Sequence, residues 1–296
     1  MNFYLENEKL KIAISDRGAE LQSIYGKTTD FEYLWQGSKK YWANRATNIF
    51  PICGRLFEGI YTYQGKTYSL PCHGFAGKSI FSVEKQSKDN IIFKLSSNSA
   101  TKENYPFDFN YYVEYTLSGN KLTTKYTVEN TGDGDLPFAI GGHPGFNVPL
   151  GEGIKFSEHY LEFSEPTKPD YLVIEISDGA VKYLGKTAPY PLKKDKILPI
   201  KHSMFDNDAL FLSNMAKSVT LKSNKTDRFV KVTYPDMPHV GFWHNPNSRA
   251  KFICIEPWDG VPSIYGKIDD FATKPEFNHL DSGKTYVKHF DIEVNE

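Results

Sequence analysis

Short runs in which apolar and polar residues alternate with a period of two recur along most of the chain, each closed by a turn signal. This pattern constrains the fold more than any other feature. Lys9-Leu10-Lys11-Ile12-Ala13-Ile14 alternates in this way, and residues 20–25 do so again after Asp16-Arg17-Gly18, so a hairpin opens the chain. Residues 61–68 fold about Gln64-Gly65, and 111–115 pair with 122–128 about Ser118-Gly119-Asn120, within a region of hairpins running from 80 to 128. Further strands are expected at 209–212, 219–221, 229–234, 240–243, 252–256 and 286–294. No stretch carries a strong helical period, and residues 36–40, between Trp35 and Trp42, are one of few places that admit a short helix. The expectation is an all-β protein, a large antiparallel β-sandwich. Residues 152–201 are prolines, lysines and short apolar pieces and read as irregular connections.

A sandwich of this kind can accommodate all 296 residues as one domain, 1–296, since no spacer, low-complexity tract, repeat or block of like charge marks a boundary. With 35 basic and 36 acidic residues, net charge −1, the chain offers no electrostatic footprint for nucleic acid or an anionic membrane. Residues 1–8 lack a basic segment followed by an apolar core, and no run approaches the ~18 apolar residues of a spanning helix. The expectation is a soluble, cytoplasmic protein; the oligomeric state is not encoded in any pattern read here. Three cysteines, Cys53, Cys72 and Cys254, are expected as reduced thiols packing beneath a pocket.

Three junctions between a strand and a turn each present ionisable side chains. Gly141-Gly142-His143-Pro144-Gly145-Phe146 closes the apolar run Leu136-Pro137-Phe138-Ala139-Ile140. There the glycines allow close approach to a ligand and Pro144 favours an extended, outward-facing His143. Leu70-Pro71-Cys72-His73-Gly74-Phe75 and Cys254-Ile255-Glu256-Pro257-Trp258-Asp259-Gly260 are the others, and together they suggest one pocket. Period-two geometry puts Phe252, Cys254 and Glu256 on one face of their strand. A carboxylate ending an apolar strand needs a cation, hydrogen-bond donors or a function. Arg55, after Gly54, stands at another strand end, and Asp208 precedes a further strand.

His73, His143 and Glu256 would supply a weak acid and a weak base working near neutral pH. Trp243, Trp258, Phe75 and Phe146 lie within a few residues of them. Aromatic faces beside fixed polar groups suit a sugar ring, whose C–H faces stack while its hydroxyls demand directed hydrogen bonds. Carbohydrate is therefore the first substrate class.

With these residues in place, the chain resembles the aldose 1-epimerase (galactose mutarotase-like) family nearly end to end, and more closely its LacX-like branch. The resemblance rests on the order and spacing of Phe50-Pro51-Ile52-Cys53-Gly54-Arg55-Leu56, Tyr68-Ser69-Leu70-Pro71-Cys72-His73-Gly74-Phe75, Gly142-His143-Pro144-Gly145-Phe146 and Cys254-Ile255-Glu256-Pro257-Trp258. It implies a β-supersandwich and an isomerase that interconverts α and β aldose anomers without metal or organic cofactor. In that resemblance Glu256 is the base and His143 the acid, the anionic Glu256 favouring the charged form of His143. His73 and Arg55 would hold ring-side oxygens and Asp208, rather than Asp206, would accept from sugar hydroxyls. Trp243, Phe146 and Trp258 would complete a binding surface for a small-molecule sugar. The family's pattern carries an acidic residue where this chain reads Gly260-Val261-Pro262-Ser263.

Three other readings compete. One is a carbohydrate-binding protein without catalysis, since a fold does not dictate function. Another is a hexose-6-phosphate 1-epimerase, which would need convergent cations; Arg17, Arg45, Arg55, Arg228 and Arg249 are dispersed, with Lys78 as a further point charge. A Cys/His metal site drawn from Cys53, Cys72, His73, His143 and Cys254 lacks C-x-x-C or H-x-x-x-H spacing, so no metal is expected. His159, His202, His239, His244, His279 and His289 are read as surface or core residues.

Overall fold

The structure, a computed structural model, describes residues 1–177 and 180–295. Two large antiparallel sheets dominate. One has nine strands and is built around the long hairpin Phe109–Ser118 and Lys121–Asn130, which pairs on one side with Thr285–Val294 and on the other with Asn90–Ser96. The other has seven, in the spatial order Ala180–Pro189, Asp170–Ser177, Leu210–Ser213, His239–Trp243, Phe252–Trp258, Gly141–Asn147, Ala46–Ile49. A four-stranded sheet formed by the first 32 residues includes the expected opening hairpin, Leu10–Ser15 with Leu21–Gly26.

The alternation read in the sequence becomes burial directly. Along Phe109–Ser118 odd-numbered residues are buried and even-numbered ones are not, which turns Tyr111, Val113 and Tyr115 toward the seven-stranded sheet. Ile253, Ile255, Phe242 and Phe146 lie with them in one continuous core. A polar pin crosses that core: Asn48 donates to Tyr115 Oη at 3.1 Å and to the carbonyls of Gly18 and Ala19, and accepts from Tyr126 Oη at 2.8 Å. A buried amide with its hydrogen-bonding capacity so fully used avoids the desolvation cost of an orphaned one.

Two expectations are corrected. Residues 36–40 form no helix: Gly37 has φ +75°, Ser38 N–H donates to the Trp42 carbonyl at 2.8 Å, and Trp35 Nε1 donates to the same carbonyl at 2.9 Å. The segment is a folded-back loop. The stretch 152–201 is not mainly irregular, for it contains His159–Phe163, Ile197–Pro199 and the hairpin Asp170–Ser177 with Ala180–Pro189 at the edge of the seven-stranded sheet. Strand signals were present there as Leu172-x-Ile174-x-Ile176 and Val181-x-Tyr183, either side of Asp178-Gly179, but charged and proline-rich surroundings masked them. Among the described residues no helix is long and apolar enough to cross a membrane.

Candidate functional site

His143 and Glu256 occupy the middles of strands, not their ends as the sequence suggested. The register that pairs Gly141 with Trp258 and Gly145 with Cys254 sets His143 opposite Glu256. Thr47 flanks His143 on the other side, and Gly241 flanks Glu256. Side chains in such a row share one face of the sheet, here the face turned away from the nine-stranded sheet. His143 Nε2 lies 3.2 Å from Glu256 Oε2. Both are buried, so the imidazole is not presented to solvent in the way its Gly/Pro setting suggested.

The glycines around His143 serve side-chain packing more than ligand approach. A Cβ on Gly145 would stand 3.0 Å from the Trp42 ring, and that ring covers His143 with 4.8 Å between centroids. Trp243 meets His143 edge-on at 5.6 Å. Phe252, on the Glu256 face, stacks on Trp35 at 4.6 Å and on Trp42 at 5.7 Å. Packing therefore fixes the imidazole on two sides.

His73 arrives from a turn. Its φ is +64° and that of Gly74 is +71°, and a Cβ on Gly74 would fall on the Phe50 carbonyl oxygen. Gly54 N–H donates to His73 Nδ1 at 3.2 Å, which makes Nδ1 the acceptor and leaves the proton on Nε2. Burial, reinforced by the positive Arg55, lowers the His73 pKa to about 4. His73 is therefore a neutral hydrogen-bond donor, lying 5.4 Å from the His143 ring and 5.2 Å from Trp258. Asp208, at φ +70°, accepts from Trp243 Nε1 at 2.8 Å.

These groups line one cavity of about 950 Å³, together with Arg55, Trp42 and Thr47. The structure thus brings together His143, Glu256, His73, Arg55, Asp208, Trp243 and Trp258. Phe146 is the exception. Three residues beyond His143, it points to the opposite face of the strand and is fully buried in the core between the sheets, so the period-two geometry that places Glu256 applies equally to it. Asp206 does not line the cavity, whereas Asp208 does. Asp259, at the end of the third junction, turns into the core, accepting from Ile140 N–H at 2.7 Å, Tyr286 Oη at 2.9 Å and Asn278 Nδ2 at 3.0 Å; burial pushes its pKa up to about 6. Trp42, Thr47 and Tyr183 are lining residues the sequence reading did not select; the signal for Trp42 was a tryptophan in a polar loop.

Electrostatics in the pair run against the expectation of a standing ion pair. Burial, then the nearby Asp208, raises the Glu256 carboxyl well above its ordinary range, and burial, then His73, pushes His143 well below its own. Desolvation disfavours both charged forms, so burial opposes a standing ion pair between the two. Glu256 Oε1 and His143 Nδ1 have no hydrogen-bond partner among the described residues, which leaves both side chains with unused polar capacity.

Cys254 lies beside the pair, and donor atoms of His143, Cys254 and Glu256 fall within 4.8 Å of one another. They come from two strands, so the sequence spacing could not show this cluster. Metal capture requires deprotonated ligands, and burial raises the thiol of Cys254 as well as the carboxyl of Glu256. All three cysteines are free, with Cys53 and Cys254 buried and Cys72 exposed at the cavity.

A family model described as aldose 1-epimerase matches residues 1–292. The chain belongs to the aldose 1-epimerase family. The chromosomally encoded protein LacX of Lactococcus lactis subsp. lactis is 32% identical, over 99% of each chain. A galactose mutarotase related enzyme from Lactobacillus acidophilus is 34% identical with a TM-score of 0.93, covering 100% of this chain and 98% of that one. A galactose mutarotase-like protein from Lactobacillus casei is 31% identical with a TM-score of 0.92 over the full length of both. The galactose mutarotase-like sandwich is therefore the fold of this chain, and a sugar is the substrate class its family brings.

Proposed function

We propose that this protein is an aldose 1-epimerase that interconverts α and β anomers by opening and reclosing the sugar ring, with Glu256 and His143 passing protons to and from the substrate. The observation that carries this reading is the 3.2 Å separation of His143 Nε2 and Glu256 Oε2 at the floor of an aromatic-walled cavity. The hydroxyl oxygen and ring oxygen of a cyclic hemiacetal are both bonded to C1, so the acid and base that act on them must stand within a few ångströms of each other. Few pairs of titratable groups meet that demand in a dry site.

Ring opening starts from the charged tautomer that burial disfavours: Glu256, as carboxylate, takes the proton of the C1 hydroxyl while His143, as imidazolium, gives one to the ring oxygen. The C1–ring oxygen bond breaks and an open-chain aldehyde forms. The pair now holds its proton on Glu256, which is the tautomer that burial favours. Rotation about C1–C2 presents the other carbonyl face, and closure runs with the roles reversed. His73 donates from Nε2 to a ring-side oxygen, Arg55 holds another, and Asp208 accepts from a hydroxyl with Trp243 orienting it. Acid and base assistance are each worth roughly 10²–10⁴, so neither a metal nor an organic cofactor is required, and chelation is expected to leave the rate unchanged.

One proton in the pair is the working state. Because burial lowers His143, a second proton enters only below the ordinary histidine value; because burial raises Glu256, the single proton is lost only above the ordinary carboxylate value. The acid limb of the pH–rate profile should therefore lie below about pH 6.5. An acid limb centred above that value contradicts the assignment.

A second reading, the hexose 6-phosphate, has one observation in its favour: Arg17 and Lys78 both line the cavity, as Arg55 does, without an ion-pair partner among the described residues. The deciding experiment is anomer exchange measured by NMR for glucose, galactose and their 6-phosphates, with and without protein. Exchange of neutral aldoses supports the proposal. A preference of more than about tenfold in kcat/KM for a phosphate, roughly 1.4 kcal/mol, replaces it with the second reading, and saturable binding without exchange replaces it with a carbohydrate-binding protein.

A further inference from the structure

His202 and His244 do not line the cavity, yet they stand where two of its side chains are held. The pairing of Leu210–Ser213 with His239–Trp243 ends with Leu210 opposite Phe242, so Asp208 and His244 both lie just beyond the ladder. Strand hydrogen bonds fix neither of them. Asp208 takes φ +70°, a left-handed conformation that a non-glycine residue keeps only where its surroundings enforce it. Its N–H donates to the Phe205 carbonyl at 3.0 Å, which makes it an extension of the single turn His202–Phe205. Whatever holds that turn therefore decides where the Asp208 carboxylate points.

His244 is the anchor. It follows Trp243 directly, is fully buried, and its ring lies against Phe205 at 4.5 Å and Phe156 at 5.5 Å. His244 Nδ1 stands 2.7 Å from the Asn245 carbonyl; a carbonyl only accepts, so Nδ1 carries the ring proton. Burial lowers the His244 pKa to about 4, so the ring is uncharged near neutral pH and its Nε2 is an acceptor. His202 Nδ1 lies 3.0 Å from that Nε2 and is therefore the donor. His202 in turn stacks on Phe156 at 4.0 Å. Asn245 ties the anchor to a further segment, donating from Nδ2 to the Tyr41 carbonyl at 3.1 Å.

A hydrogen bond between two neutral imidazoles among phenylalanine rings leaves a partner stranded if either member is removed, whereas an apolar pair of the same shape would fill the space without that demand. What the bond adds is a fixed point of attachment. The Trp243 indole, one residue before His244, donates to the Asp208 carboxylate at 2.8 Å. Turn and strand end are thus joined twice, once at the carboxylate and once at the histidines.

We propose that His202 and His244 are positioning residues for Asp208: their bond locks the turn that carries the carboxylate to the strand end that carries its Trp243 donor, and so aims the carboxylate at a sugar hydroxyl. This rests on the hydroxyl-binding role proposed above for Asp208.

The test is a coupling measurement. His202→Phe keeps a ring over Phe156 and deletes the donor, while His202→Asn places an amide N–H close to the position of Nδ1. Glucose and galactose are titrated by calorimetry into the full-length wild type, His202→Phe, His202→Asn, Asp208→Asn and the double variant of His202→Phe with Asp208→Asn. His202→Phe should weaken binding about fivefold on its own, His202→Asn should recover most of that loss, and His202→Phe should change binding less than about twofold in the Asp208→Asn background. In exchange kinetics the loss should fall on KM with kcat little changed, because a hydroxyl contact away from the breaking bond serves ground state and transition state alike. Where His202→Phe does not fold, His202→Gln, whose amide falls nearer the position of Nε2, takes its place. In the wild type, nitrogen NMR should find the Nδ1–H tautomer on both histidines. Equal losses in both backgrounds, wild-type binding by His202→Phe, or an Nε2–H tautomer at His202 overturns the proposal. Coupled weakening of binding with no anomer exchange of any sugar keeps the positioning role and removes the reaction; no saturable binding of any sugar removes both.

Discussion

The floor of the cavity and its hairpin wall belong to one sheet yet are built in opposite ways. In Phe252–Trp258 every residue is buried, and the strand has hydrogen-bonded neighbours on both sides. The hairpin ends the sheet: Ala180–Pro189 has a single neighbour, and Glu175, Ile176 and Ser177 are exposed. A floor packed on both faces can hold an acid and a base to the tolerance that proton transfer demands, whereas a wall with one open face can vary in sequence without disturbing the pair. The proposed acid and base sit where packing is complete, and the open end of the cavity lies where it is not.

Stability measurements can break this contrast. Phe252→Ala removes a fully buried ring stacked on Trp35 and Trp42 and should cost about 3–5 kcal/mol in urea unfolding. Next in size, Trp243→Phe keeps an aromatic ring but deletes the donor to Asp208, a charge-assisted bond worth about 1.5–3 kcal/mol, so the unfolding free energy should fall by up to about that amount and kcat/KM should fall about tenfold or more. Loss of that bond should also let the Asp208 pKa rise, since burial already raises it and the indole N–H holds it down. At the small end, Ile176→Ser on the exposed wall should change stability by about 0.5 kcal/mol or less. If Ile176→Ser proved as costly as Phe252→Ala, the wall would be part of the packed frame and the contrast would fail.

What could be read in the sequence divides along the same line. Phe252, Cys254 and Glu256 alternate without interruption, so the face of the floor was legible, and the Gly/Pro setting marked His143 even though it implied the wrong exposure. Phe146 was misplaced because proximity along the chain outweighed its strand parity. The opposition of His143 to Glu256 depends on strand register across more than a hundred intervening residues, which no local pattern encodes. The loop that carries Trp42 over His143 was allowed as a short helix, so the cover it gives the imidazole was not legible either. Leu172, Ile174 and Tyr183 alternate clearly, but lysines and prolines around them resembled a connecting stretch, so the wall was missed altogether.

The reaction proposed for this cavity depends on Glu256 and His143 passing protons to and from the sugar as its ring opens and closes. Its most direct measurement is anomer exchange by NMR for Glu256→Gln and His143→Asn, each first shown to keep the wild-type unfolding midpoint and to bind sugar. Both should lose at least about 10²-fold in exchange rate, and the double variant should lose little more than the slower single one because the two groups act as a unit. Exchange near the wild-type rate in either single variant would contradict the account.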